Sequence, residues 1–365
     1  IILSLRSGSG TPIPNADITL VLPAGFVYAD GGTGSRIFRT GTDGRVTISG
    51  VKGPSAPGGQ NMTATYRSKT ATARLAIVGV VRTISGFSLP DRLAITPDGA
   101  YVFVGNNNHN STTISVVDTA SLMVIQDIDV GGIPTGITCS PNGAFVFVCV
   151  SRSVLIISIA TLRLIKSINI DWSPGRIAFS PDNRFACVSN YSSTVTIIDM
   201  KELVAIKTIR VGANPLGVAS SNDSTKFYVA NTNSRLISVI NTENWVVTSI
   251  GLETHPAEIT SSPNDAFIFV TQQYNGITKI DTEKSEIVDS IVSDGPADIT
   301  TSPDGSRVYV SSTDDKVSII DAASLTVMTT IPIKYQNRGI ASSPDGSRIF
   351  VSNYSTNTIS VISVG

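Results

Sequence analysis

ADITTSPDGSRVYVSSTDDKVSIIDAASLTVMTTIPI, residues 297–333, reads as four short strands divided by turn signals. Ala297–Thr301 runs into Ser302-Pro303-Asp304-Gly305, where proline pre-sets φ and glycine is free to take φ > 0. Arg307–Val310 is the second strand, Val317–Ile320 the third and Leu325–Ile333 the fourth. The third ends at Asp321, whose carboxylate can hold the backbone of the next turn. Val, Ile and Tyr dominate, as a pleated surface favours.

The stretch recurs. The turn proline appears at Pro97, Pro141, Pro181, Pro263, Pro303 and Pro344, with Asn222 in its place once, at spacings of 44, 40, 41, 41, 40 and 41. A fixed period in this range marks a propeller or solenoid. The second strands are apolar on both sides: Val308 and Val310 flank Tyr309, and Val102 and Val104 flank Phe103. A sheet with one wet face would alternate instead. Strands buried on both faces sit between neighbouring sheets, as propeller blades do. No helical period runs through the span. A β-helix stays open as a lesser alternative, although its rungs are shorter than one repeat.

The last repeat stops after three strands, Gly339–Ser343, Arg348–Ser352 and Thr358–Ser363. One unpaired strand, Val81–Ser85, precedes the first repeat and matches the fourth strands of the others. Seven blades are therefore expected, the last closed by this N-terminal strand as its outermost member. Joining the ends removes exposed sheet edges. An open solenoid would need polar capping repeats, and neither end reads as one.

Residues 80–365 resemble the YVTN-type β-propeller family. The likeness rests on FYVAN (Phe227–Asn231), VYVSS and IFVSN, on Ser-Pro-Asp-Gly, on the third-strand Val-x-(Val/Ile)-Ile-Asp, and on Val130-Gly131 and Val211-Gly212. No Gly-His…Trp-Asp signature of WD repeats is present. The resemblance implies fold more than activity, since the family includes periplasmic and surface-layer proteins and has relatives among redox enzymes, lactonases and antibiotic lyases.

Residues 1–79 lack the repeat. Candidate strands at Ile2–Leu5, Asp17–Leu22, Ser35–Thr40, Arg45–Ser49, Asn61–Arg67 and Thr72–Val78 are split by Gly/Pro/Ser/Asn clusters, the pattern of a small antiparallel sandwich. GTPIPNADITLVLP, TGTDGRVTISGV and NMTATYRSKTATARLAI resemble the bacterial Ig-like domains of the invasin and intimin type, with Gly10, Pro12, Pro14, Ala16, Asp43, Gly44, Ala64 and Tyr66 in the pattern's places. That likeness implies a stalk or spacer in a cell-surface or secreted protein, commonly one of several in tandem, so further Ig-like domains upstream are expected, and the expected location of the chain is extracellular, at the cell surface or periplasmic. The overall expectation is an all-β chain, an Ig-like β-sandwich at 1–79 followed by a seven-bladed β-propeller at 80–365.

The net charge of −1 divides into +5 on residues 1–79 and −6 on residues 80–365. A propeller of that sign with no basic stripe argues against nucleic acid. No apolar run is long enough to span a membrane. Cys139, Cys149 and Cys187 lie in apolar strand text and are expected to be buried free thiols. His109 and His255 are the two histidines, too few for the clustered ligands of a zinc or copper site or of the copper and haem propellers. No metal or cofactor is expected. Walker, Gly-x-Ser-x-Gly and HExxH motifs are absent, and Asp30-Gly31-Gly32 and Asp314-Asp315 are too short for a calcium loop. The Asn-x-Ser/Thr sequons at Asn61, Asn110, Asn190 and Asn353 read as chance.

Chain direction sorts the loops onto two faces. The Ser-Pro-Asp-Gly face is near-identical from copy to copy. The face carrying the fourth-to-first and second-to-third connections varies, as recognition surfaces do. Near the axis on that face fall Arg92, Arg176, Glu258, Asp298 and Arg338, ringed by Asn106–Asn108, His109, Asn190, Tyr191, Gln273, Tyr274, Asn353 and Tyr354. The candidate ligand-binding set is Arg92, Arg176, Tyr191, Glu258, Tyr274, Asp298, Arg338 and Tyr354, a polar mouth for a protein or glycan. The bland counterpart is that these charges satisfy one another around a water-filled channel. The functional expectation is a non-catalytic surface or secreted binding and adhesion protein. The alternative is a lyase or lactonase using His255 and Glu258 as acid/base groups, and a plain spacer is the third reading.

Overall fold

The computed structural model describes residues 2–4, 11–22, 26–42, 45–48, 60–66, 69–75, 78–108, 112–170, 172–273, 276–333 and 336–364. The described residues form strands joined by turns and two short 3-10 segments. No helix among them is long and apolar enough to cross a membrane. Two compact units are present, residues 1–81 with 363–365, and residues 82–362.

In the first unit, a four-stranded antiparallel sheet runs in the order Ser35–Arg39, Asp17–Val21, Gln60–Tyr66, Lys69–Leu75, and Ile2–Ser4 pairs with Arg45–Thr47 in a second sheet. Leu20, Leu22, Phe26, Tyr28, Ile48 and Met62 make the shared apolar cluster. The buried Tyr28 hydroxyl donates to the carbonyls of Leu20 and Gly34, so its polar tip is satisfied inside the core.

Between Gly79 and Ser363 the described residues make seven four-stranded antiparallel sheets, numbered here 1 to 7 in chain order. The quoted stretch is sheet 6, with strands Pro296–Thr301, Arg307–Ser312, Lys316–Asp321 and Thr326–Pro332. Sheet 7 takes three strands from the C-terminal end and its fourth, Gly79–Ser85, from before sheet 1. Each innermost strand touches those of the sheets before and after it, and the innermost strand of sheet 7 touches that of sheet 1.

The sheets stack through greasy faces. Phe147, Cys149, Val154 and Ile156 of sheet 2 pack with Ile177, Phe179, Ala186 and Val188 of sheet 3, and the pairs 1 and 2, 3 and 4, 4 and 5, and 5 and 6 repeat the arrangement. The strands apolar on both sides are therefore the middle strands, which have a neighbour on each face. Cys139, Cys149 and Cys187 are free.

The repeated turns share one chemistry. In sheet 6, Ser302 Oγ donates to Asp304 Oδ1 and accepts from the Arg307 N–H, while Asp304 accepts from Ser306. These bonds hold the Asp304 carboxyl down to about 2, the Ser302 hydroxyl contributing most. Sheets 1 and 7 use Thr96/Asp98 and Ser343/Asp345 in the same way. Asp321 caps the following turn by accepting from Ala323 and Ser324.

Candidate functional site

Every innermost strand begins at a matching position, Pro90, Pro134, Pro174, Pro215, Pro256, Pro296 and Asn337, and its pairing register shifts within the next three residues. Such an irregularity re-aims the side chains beside it. Two residues after each start stand Arg92, Gly136, Arg176, Gly217, Glu258, Asp298 and Gly339.

The three glycines have a steric cause. A Cβ on Gly136 would fall 2.2 Å from the Gly175 carbonyl oxygen, one on Gly217 2.6 Å from that of Ala257, and one on Gly339 2.4 Å from that of Asp91. Neighbouring inner strands thus approach at these places too closely for any side chain. The remaining four positions carry charge and reach inward.

There they meet. Glu258 Oε1 lies 2.8 Å from Arg92 Nη2 and accepts from Arg176 Nε and Nη2 at 2.9 and 2.8 Å. Arg92 Nη1 is 3.1 Å from Asp298 Oδ2, placed for charge attraction but off the hydrogen-bond direction. Arg176 Nη1 also donates to the Thr135 carbonyl. Asp298 accepts from the backbone N–H groups of Ile299 and Ile340. Asp91, the residue before Arg92, completes the cluster. Its Oδ2 accepts from Asn107 Nδ2 at 2.9 Å and lies 3.8 Å from Arg338 Nη1, while Oδ1 lies 3.6 Å from Arg92 Nε. Three guanidinium groups thus face three carboxylates.

Burial works against every charge here, and partners decide which survive. Burial would raise the Glu258 carboxyl, but Arg176 and Arg92 overcome it and hold the group below its usual range. Asp91 is likewise held low, burial being outweighed by Arg92, Arg176 and Arg338. Asp298 goes the other way. Burial, helped by repulsion from Glu258, pushes its carboxyl up to about 6 despite Arg92. Arg92 is raised because its three carboxylate neighbours outweigh its own burial.

The candidate residues separate into two groups. Arg92, Arg176, Glu258 and Asp298 come together, each with a side chain less than one-fifth exposed. Arg338 lies outside them, 40% exposed, with its guanidinium 4.1 Å over the Tyr354 ring. Tyr191 is 44% exposed and follows the loop of sheet 3, its N–H donating to the Ser173 carbonyl. His109 and Tyr274 lie outside the described residues.

Asn190 and Asn353, placed in the mouth by sequence, are buried instead. The Asn190 amide donates to Thr194 and Thr196, and that of Asn353 to Thr358 and Ser360. Asn106 and Asn231 repeat the device, so these asparagines pin the second strand to the third. The signal was the pair of hydroxyl residues two apart in the third strands of sheets 1, 3 and 7, on one face by strand geometry, with Ser238 alone in sheet 4. Asp91 and Trp172 were missed. Trp172 is 57% exposed between sheets 2 and 3.

The described contacts of His255 and Glu258 go to other groups. His255 Nδ1 sits 2.8 Å from the Thr232 carbonyl, and Glu258 is committed to two arginines. A cavity of about 240 Å³ on the Ser-Pro-Asp-Gly side, lined in part by Asp98, Asp345, Arg348 and Phe350, shares no residue with the cluster.

Hydrazine synthase of Kuenenia stuttgartiensis has a similar structure, with a TM-score of 0.70 at 21% identity, covering 77% of this chain and 97% of that one. The fold is a β-propeller. No family model matches the sequence, and no curated protein does. At that identity the likeness extends to fold alone, and the chemistry of hydrazine synthase stays with that protein.

Proposed function

We propose that the chain is a non-catalytic binding and adhesion protein of the cell surface, the secreted fraction or the periplasm. An Ig-like domain at residues 1–79 presents a seven-bladed YVTN-type propeller at residues 80–365, and the propeller takes its ligand on the loop face. The charge cluster at the axis is a scaffold. Its buried charges are spent largely on one another, leaving the ligand to the more exposed residues, Arg338 at the edge of the cluster and stacked on Tyr354, and Tyr191.

The observation that carries this reading is the state of Glu258. A general acid needs a proton to give, and a general base needs a free lone pair near a reacting atom. Glu258 is held ionised by Arg176 and Arg92, so it has no proton to give and little tendency to take one. That arrangement favours binding over the lyase or lactonase alternative.

The test is a binding screen of the whole chain against immobilised glycans and intact cells, repeated with Arg338→Ala and Tyr354→Ala. Binding that falls at least about tenfold in each variant supports the reading, as expected for exposed aromatic and arginine anchors. No binding in either screen, or a lactone-opening activity that disappears in His255→Ala, overturns it.

A further inference from the structure

We infer that the outer strand of sheet 4, Val247–Gly251, is a pairing edge for the same strand of a second copy of this chain, giving an antiparallel dimer about a two-fold axis. This stands independently of the function proposed above.

Sheet edges offer unpaired N–H and C=O groups, and proteins blunt them with bulges, charges or proline. The outer strands of sheets 1, 2, 3, 5 and 6 each break register against the third strand, at Val116/Val117, Ile156/Ile157, Ile197/Ile198, Lys279/Ile280 and Ile319/Ile320. Four of them also carry charge: Asp127 and Asp129, Arg163 and Lys166, Lys207 and Arg210, Glu286 and Asp289. The fifth ends in Pro332.

Sheet 4 has none of these devices. Leu236 to Ile240 pair with Gly251 to Val247 in unbroken register. From Asn244 to Leu252 there is no charged residue and no proline. The cause is visible in the sequence. In sheet 1 the apolar anchor Ile128 follows the left-handed turn residue Leu122 by six positions, whereas in sheet 4 Ile250 follows its counterpart Trp245 by five. One residue fewer removes the bulge and leaves the edge straight.

The exposed groups follow from the ladder. Leu252 N–H donates to Arg235 and Asn241 N–H donates to Val246, so 246, 248, 250 and 252 bond inward. Val247, Ser249 and Gly251 alternate with them and turn their N–H and C=O groups to the rim. Thr248, Ser249 and Gly251 are exposed. Antiparallel pairing of two copies about Ser249 sets Ser249 against Ser249 and Val247 against Gly251, whose missing side chain leaves room for the valine. The strand is self-complementary and uncharged, so two copies meet without the like-charge opposition that the edges of sheets 1, 2, 3 and 5 would bring.

An edge this short buries less than the roughly 1,200 Å² of a standard stable interface, so the dimer is weak and concentration-dependent. Sedimentation equilibrium of the whole chain from about 5 to about 500 μM tests it, with a monomer–dimer transition expected inside that range. Ser249→Lys, which leaves the backbone intact and sets two ammonium groups opposite each other, weakens the dimer at least about tenfold. Ser249→Pro, which removes an outward N–H at a position where edge proline is tolerated, does the same. Lys207→Glu on the edge of sheet 3 leaves the dimer unchanged. Circular dichroism confirms that each variant folds. A wild-type chain that stays monomeric throughout leaves the edge to solvent or to a foreign strand and overturns the pairing. So does a dimer insensitive to both Ser249 variants, or one equally sensitive to Lys207→Glu.

Discussion

Ser352 donates its hydroxyl hydrogen to the Asp91 carbonyl oxygen at 2.6 Å, joining the last sheet of the ring to the first across 261 positions of sequence. The same hydroxyl accepts from the Gly339 N–H at 2.7 Å. Ser189 and Ser311 repeat the contact, each donating to the inner strand of the following sheet, at Leu216 and Arg338. A small hydroxyl residue on a second strand thus fastens its own irregular inner strand and the next sheet together. At Ser352 the fastening closes the circle.

Ser352→Ala leaves the buried Gly339 N–H and Asp91 carbonyl without this partner, and the expected loss is about 1–3 kcal/mol of unfolding free energy. Gly339→Ala is more severe, since its Cβ would sit 2.4 Å from the Asp91 oxygen and must push two inner strands apart. Urea unfolding followed by circular dichroism measures both. A Gly339→Ala protein as stable as wild type would show that the inner strands do not approach as described.

Glu258→Gln tests the axial cluster. Removing one partner of a buried ion pair costs about 3–5 kcal/mol, because the charge left behind is uncompensated. Here two guanidinium groups, Arg92 and Arg176, lose the carboxylate between them. The thermal midpoint is expected to fall markedly, and Arg176→Met in the same background is expected to restore part of it by removing one of the two like charges. A Glu258→Gln chain with unchanged stability would mean that the cluster holds solvent rather than ion pairs.

The repeat and its four-strand unit were legible because each relies on local chemistry: the Ser-Pro-Asp-Gly turn, the Asp after the third strand, and the run of Val, Ile, Phe and Tyr that has to be covered on both sides. Arg92, Arg176, Glu258 and Asp298 were legible as a set because they stand at one offset in different repeats. Their pairing was not. Whether Arg92 reaches Glu258, four repeats further along the chain, depends on how closely the inner strands converge, and sequence offers no radius. Asp91 stands one position earlier, at the offset of Arg338, and its contacts with Arg92 and Arg338 depend on the local shift in register, which sequence does not show. Asn190 and Asn353 were misplaced because they stand where strand meets polar loop, and only the ladder shows their amides turned back onto Thr194, Thr196, Thr358 and Ser360.

The thiols give a simple check on burial. Cys149 and Cys187 are buried, and that burial raises both above the usual thiol range, so neither presents a thiolate near neutral pH. Cys139 is raised in the same way. An aromatic disulfide reagent at pH 8 is expected to leave the native chain unlabelled and to react with all three thiols once urea unfolds it. Fast labelling of the native protein would contradict the stacking of sheets 1 to 4.

Asp298 sets the last prediction, a dependence of stability on pH. Its carboxyl stands at about 6 in the folded chain against 3.8 when unfolded. Between these values the native state keeps a proton that the unfolded chain has lost, so stability is greatest below about pH 4 for this group and declines as pH rises through 6. A difference of roughly two units corresponds to about 3 kcal/mol. Glu258 and Asp91 act in the opposite sense. Their folded values are depressed, so their contribution is present above the ordinary carboxylate range and fades as pH falls below it. The Asp298 effect is isolated by comparison with Asp298→Asn, which carries no proton to lose. Urea unfolding at pH 4.5 and pH 7 is expected to show wild type losing stability relative to Asp298→Asn as pH rises, and identical slopes for the two chains would remove Asp298 as the titrating group.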